Sequence, residues 1–138
     1  MSDLSRIGVA IDSALLQKFD DSIARRGYTN RSEAFRDLIR DALIQENTEK
    51  PDSIVVGTLT LVYDHHVRQL SERLTGMQHD HFHNVLSTLH VHLDHDNCLE
   101  VTVLKGKAAA VQKIADALIS TKGVKHGRLT ITSTGAGL

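Results

Sequence analysis

Thr88-Leu89-His90-Val91-His92-Leu93-Asp94-His95-Asp96-Asn97-Cys98-Leu99-Glu100-Val101 sets two alternating runs on either side of a polar tetrapeptide. Before the turn, Leu89, Val91 and Leu93 alternate with Thr88, His90 and His92. After it, Leu99, Val101 and Val103 alternate again up to Leu104. A period of two marks strands, and Asp94-His95-Asp96-Asn97 between them reads as a turn, so residues 84–104 form a hairpin. Residues i and i+2 of a strand project from one side, so His90 and His92 converge while Val91 packs behind them. The turn brings the Cys98 sulfur back beside the pair. Two imidazoles and the only thiol of the chain within nine residues concentrate metal ligands beyond what a packed core requires. A fourth ligand is expected from the segment that carries His79, His81 and His83, from this chain or from another. Three imidazoles and a thiolate suit Zn(II) in a tetrahedral site and Cu(II) or Ni(II) in a square-planar one, and spacing leaves that choice open.

Around the hairpin the pattern predicts a strand at Ile54–Tyr63, rich in β-branched residues, and a helix from His66 to Met77 with Val67, Leu70 and Leu74 at helical spacing. Val111, Ile114, Ala115 and Leu118 predict an inward helical face over Ala108–Ser120, ended by Gly123, and Val124–Thr132 predicts a last strand. The order β-α-β-β-α-β is the split unit of ferredoxin-like domains, an antiparallel sheet with both helices on one face. Its other face needs cover, and oligomerisation is the expected remedy.

The first 46 residues carry none of the nine histidines, all of which fall between His65 and His126. Ile7, Val9 and Ile11 alternate with Arg6, Gly8 and Ala10, which predicts a short strand. Asp12 or Ser13 then caps a helix that carries Leu15, Leu16, Phe19 and Ile23 and stops at Gly27. Asn30-Arg31-Ser32-Glu33 opens a second helix with a variant capping box, followed by the apolar face Ala34, Phe35, Leu38, Ile39, Ala42 and Leu43. One strand and two helices cannot bury enough apolar surface alone, and a lone strand leaves its backbone groups unpaired. Two copies pairing their first strands antiparallel would share a four-helix core, and the outer face of the ribbon would fit the DNA major groove. Residues 45–53 lack any apolar side chain and read as a linker. The expected division is 1–46 DNA-binding domain, 47–53 linker, 54–133 metal-binding and oligomerising domain and 134–138 tail, an α+β chain in two parts.

At 138 residues the chain suits one ordinary domain or two small ones, and its formal net charge of −1 argues against bulk electrostatic nucleic-acid binding. DNA contacts must therefore come from local arginines. No apolar run approaches the roughly 20 residues of a membrane span, and the polar start lacks a secretory signal, so a cytoplasmic protein without membrane association is expected. A single cysteine excludes an internal disulfide.

The helix-two motif Asn30-Arg31-Ser32-Glu33-Ala34-Phe35-Arg36-Asp37, after a strand, a helix and Gly27-Tyr28, resembles the ribbon-helix-helix fold. Gln78-His79-Asp80-His81 and the hairpin quoted above, with Val103-Leu104-Lys105-Gly106 and Gly123-Val124-Lys125-His126-Gly127, resemble the ACT-like regulatory domain of the nickel-responsive repressor family NikR. The two likenesses cover nearly the whole chain. They imply that His90, His92 and Cys98 bind Ni(II) in the plane of the site, with His79 of a neighbouring subunit completing the square. They also imply a homotetramer, a dimer of dimers, which represses nickel-uptake genes by binding palindromic operator DNA when nickel is bound. Glu33 and Asp37 share a helix face one turn apart, where the resemblance favours a potassium site (K+) at the domain junction over a solvated acidic stripe. The outward positions after Arg6 are commonly hydroxyl residues in the family; Gly8 and Ala10 replace them here, so base readout should be reduced or altered.

Other classes remain open on the residues alone. A metalloenzyme would want an open coordination position and a nearby general base, and the sequence supplies no clear base, so no enzyme is expected. A regulator of the same architecture could sense Cu, Zn or Co instead, or bind a small molecule with the histidines incidental.

Overall fold

The computed structural model describes residues 3–138 and divides the chain into two compact units, one ending at Ala42 and one spanning Leu43–Leu138.

The first unit holds helix α1 (Ser13–Arg25) and most of α2 (Arg31–Thr48). The Asp12 carboxylate accepts the Ala14 and Leu15 amides at 3.1 Å and caps α1. Gly27, at φ 86°, supplies the left-handed residue that ends it, and the Tyr28 amide closes back on the Ile23 carbonyl at 3.0 Å. Asn30 Oδ1 accepts the Glu33 amide at 2.9 Å and starts α2. Across the helical hairpin Phe19 stacks on Phe35 at 5.1 Å, and Arg31 grips both oxygens of Asp20 at 2.9 and 2.8 Å. The predicted strand over residues 6–12 is absent. Strands are defined by a ladder to a partner, and among the described residues of this unit no second strand supplies one. Among the described residues of this unit only Ile23 and Ala34 are buried, while Ile7 is 79% exposed and Val9, Leu15, Leu38 and Ile39 are also open to solvent.

Helix α2 runs to Thr48, beyond the expected start of the linker, with the Thr48 hydroxyl donating to the Ile44 carbonyl at 2.8 Å. Polarity in residues 45–48 thus marks exposure rather than loss of helix.

The second unit builds strand β1 (Ile54–Asp64), α3 (Leu70–Asp80), β2 (Val85–His92), β3 (Asn97–Lys107), α4 (Ala108–Ile119) and β4 (Val124–Thr132). All strand pairings are antiparallel, in the order β2-β3-β1-β4. The buried face takes Val55, Leu59, Leu61 and Tyr63 from β1 and Cys98, Glu100, Thr102 and Leu104 from β3, packed with Leu70 and Leu74 of α3 and Val111, Ile114, Ala115 and Leu118 of α4. The covered side of β3 is therefore the mixed one, and the alternating Leu99, Val101 and Val103 lie on the opposite side of the strand. In register they meet Val91, Leu89 and Ser87 of β2, and this second face exposes Leu89 at 61%.

Helix α3 starts at Leu70, four residues later than the apolar spacing predicts, because Gln69 adopts a left-handed conformation at φ 62° and the chain from His65 to Gln69 forms turns instead. The helix extends to Asp80 and so includes His79.

Close approach of α4 to β4 requires Gly127: a Cβ there would lie 2.5 Å from Ile119 Cγ1 and 3.0 Å from Leu61 Cδ2. Gly127→Ala should destabilise the protein by about 1–3 kcal/mol, because branched side chains in a packed core must shift to admit the methyl. Urea unfolding of the metal-free protein measures this as a lower midpoint.

Candidate metal centre

Antiparallel register places His92 directly opposite Cys98 and Cys98 directly opposite Tyr63, so these three lie in one row across β2, β3 and β1. Cys98 Sγ lies 3.3 Å from His92 Nδ1. His90, two residues earlier, shares the His92 face with its ring centroid 5.4 Å away, and its Nδ1 lies 3.3 Å from the Tyr63 hydroxyl. Burial, reinforced by the negative charge of Glu100, pushes the Tyr63 phenol up to about 12, so it stays neutral.

His65 is the residue that sequence reasoning missed. It follows the last residue of β1, and its ring centroid is 5.4 Å from that of His92. His65, His92 and Cys98 bring one ligand atom each to within 4.8 Å of one another. The spacing within the hairpin could not reveal it, because β1 reaches β3 through the sheet rather than along the chain. The pairing of Asp64 with Asn97 is the signal that carries His65 to the same corner.

The donor set fits a metal. With a metal–sulfur bond of about 2.3 Å and a metal–nitrogen bond of about 2.05 Å, sulfur and nitrogen lie about 3.1 Å apart at a right angle and about 3.6 Å apart at the tetrahedral angle. The observed 3.3 Å falls between them. Cys98 is fully buried, whereas His90 and His92 are exposed on an edge strand. The site is thus closed on one side by the core and open on the other.

His79 lies outside this cluster. It is exposed in the last turn of α3, with its ring 6.4 Å from that of Phe82. The preceding residue, Gln78, is buried: its Nε2 donates to Glu100 Oε1 at 2.8 Å and its Oε1 accepts from the Thr88 hydroxyl at 2.9 Å. The end of α3 is therefore tied to both strands of the hairpin.

In the first unit, Arg6, Gly8 and Ala10 are all exposed. Glu33 and Asp37 line one surface recess with Tyr28, Arg36 and Arg40. Asp37 accepts a hydrogen bond from the Tyr28 hydroxyl and lies 3.7 Å from the Arg40 guanidinium, so its charge is already partly engaged. That hydrogen bond to a carboxylate raises the Tyr28 phenol above its ordinary value.

A ribbon-helix-helix module joined to a ferredoxin-like domain with a histidine–cysteine centre defines a class of metal-linked transcription regulators, whose first module is a DNA-binding, dimerising fold. Two family models divide the chain accordingly: the ribbon-helix-helix protein, copG family, matches residues 5–46, and the NikR C-terminal nickel-binding domain matches residues 56–132. A protein of Solibacter usitatus that bears the name of a nickel-responsive regulator is 74% identical over 136 residues, which covers 99% of this chain and 98% of the relative. Relatives with the same name from Geobacter sulfurreducens and Nitratidesulfovibrio vulgaris are 59% and 56% identical, covering 98% and 96% of this chain and 97% and 96% of their own lengths. The chain belongs to the NikR family of nickel-responsive regulators. Among the described residues no helix is long and apolar enough to cross a membrane.

Burial, and then the charges of Asp64, Asp94 and Glu100, raise the Cys98 thiol above its ordinary value, so the folded protein holds this proton to higher pH than a free thiol would. An ion that takes the sulfur must displace it. Apparent Ni(II) affinity should therefore rise about tenfold between pH 7 and pH 8, one proton being released per ion, and the slope should flatten in Cys98→Ala. Metal titrations at the two pH values measure the difference.

Proposed function

We propose that this protein is a nickel-responsive transcriptional repressor, not an enzyme, that works in the cytoplasm and binds operator DNA when Ni(II) is bound, controlling genes of nickel uptake or homeostasis. The 3.3 Å approach of Cys98 to His92 on an open edge strand is the observation that carries this reading. His90, His92 and Cys98 would hold the ion in one subunit, and His79 of a second subunit would complete the set. The exposure of His79, and of His90 and His92 on an edge strand, supports a ligand set divided between chains. His90 would exchange its contact with the Tyr63 hydroxyl for the ion.

The amino-terminal unit would supply the readout. Exposed Ile7 and Val9 in a segment without a strand partner support pairing with the same segment of a second copy, which would turn Arg6, Gly8 and Ala10 outward toward a major groove. Arg6 would read guanine or phosphate, and Ala10 could meet a thymine methyl. The assembly would be a homotetramer, a dimer of dimers, matched to a palindromic operator. A set of ligands shared between subunits favours only those arrangements in which the donors converge, so metal binding can bias the tetramer toward the form with better DNA affinity. Glu33 and Asp37 would hold K+ once Asp37 gives up Arg40.

Operator titrations at fixed salt test the reading. Nickel-loaded protein should bind at least tenfold more tightly than metal-free protein, and equal affinities would exclude nickel regulation. Arg6→Ala should weaken specific binding about tenfold or more, while an unchanged affinity would remove Arg6 from the reading surface. Replacing potassium by sodium should weaken operator binding by the wild type and leave Asp37→Asn unaffected.

The observed sulfur–nitrogen separation also fits a tetrahedral ion, which favours Zn(II) as a second reading. Cu or Co in the same place, or a small molecule, would be further effectors for this architecture. Competition between Ni(II) and Zn(II), with DNA binding as the readout, distinguishes the metals.

A further inference from the structure

Two of the three phenylalanines, Phe19 and Phe35, stack on each other in the amino-terminal unit, whereas Phe82, three residues after His79, is 62% exposed. Backbone bonds fix it there. The Phe82 amide donates to the His79 carbonyl at 3.2 Å and the Asn84 amide to the His81 carbonyl at 2.9 Å. At the far end of this turn the Lys105 amide of β3 donates to the Asn84 carbonyl at 2.8 Å, and Asn84 Nδ2 donates to the Lys105 carbonyl at 3.1 Å. The turn is thus pinned to the sheet while its phenyl ring stays in solvent.

The ring lies among imidazoles. That of His83 packs against it with centroids 3.8 Å apart and planes at 37°, and that of His79 is 6.4 Å away at 31°. The second separation falls within the range of about 4.5–7 Å over which aromatic rings attract one another. An imidazole that gives its lone pair to a divalent ion gains positive charge, and the face of a phenyl ring is negative, so this attraction strengthens once the metal is bound. The cysteine centre is closed by the core on one side and open along the edge strand β2. A His79 that enters the centre of a second subunit brings Phe82 with it, because one short hydrogen-bonded turn carries both.

We infer that Phe82 is a positioning residue for the metal ligand His79, which holds that imidazole in its ligating orientation and screens the completed centre from water. The inference rests on the sharing of His79 between subunits proposed above. Phe82 then governs how long the ion stays, not whether the three donors of the hairpin can take it.

The test is release of Ni(II) from the loaded full-length protein into excess EDTA, followed as decay of the thiolate-to-metal charge-transfer absorption. Phe82→Ala should start from the wild-type spectrum, which reports an intact fold and an intact thiolate ligand, and lose the ion about fivefold to tenfold faster. Phe82→Tyr keeps the ring and should release within about twofold of wild type. His79→Ala should itself release faster, and removing Phe82 as well should add less than about twofold. An unchanged rate in Phe82→Ala, a Phe82→Tyr as fast as Phe82→Ala, or the same acceleration with and without His79 would overturn the inference and leave the shared ligand set standing. Unchanged release in His79→Ala would overturn the shared ligand set and the inference with it.

Discussion

Everything in the carboxy-terminal unit depends on the register that sets His92 opposite Cys98. Strand side chains alternate with a period of two, so a slip of one residue would send His90 and His92 to the far face of the sheet and leave the thiol without them. Core packing on β3 enforces the register. Cys98, Glu100, Thr102 and Leu104 all point under the helices, and Thr102 and Leu104 cannot reach the core unless Cys98 does as well. The centre is thus fixed by the same alternation that fills the interior.

That packing also explains why the apolar pattern of β3 does not point to the core. Leu99, Val101 and Val103 are the residues that a pattern of alternation assigns to the interior, yet the covered side carries a thiol, a carboxyl and a hydroxyl. Glu100 is tolerated there because Gln78 donates to it, and Gln78 is in turn held by Thr88. Thr102 Oγ1 has no partner among the described residues. Both faces of this sheet are therefore partly apolar, and the second is left for another surface to cover.

Much of the architecture was legible in the sequence, because local signals set it. The order of the four carboxy-terminal strands and two helices follows from periodicity, and Asp12, Gly27 and Asn30 mark the amino-terminal helix ends through backbone chemistry. The segment from residue 6 to 12 carries strand alternation, and its lack of a hydrogen-bond partner within one chain was legible as well. Two features were not. The start of α3 depends on the left-handed Gln69, which apolar spacing does not register. His65 joins His92 and Cys98 only through the pairing of β1 with β3, a contact between residues more than 30 positions apart. Of the ligands expected in the centre, His90, His92 and Cys98 share one face. Nothing within a single chain draws His79 to them.

The turn between β2 and β3 bears on response time. Asp94 accepts two backbone amides and the Asn97 side chain, and these bonds hold its carboxyl below the usual carboxylate range, so the turn stays tied across the neutral range. Lys125, near the start of β4, donates to the Asn97 side chain at 2.6 Å. The hairpin therefore meets an arriving ion with its backbone already ordered, and capture does not wait for a loop to fold. Within one chain, metal capture at this site would then need departure of a thiol proton and small rotations of imidazole rings. Side-chain rotations of this kind take picoseconds to nanoseconds when exposed. Within one chain, this ordering would leave the arriving ion's own loss of water as the slower event.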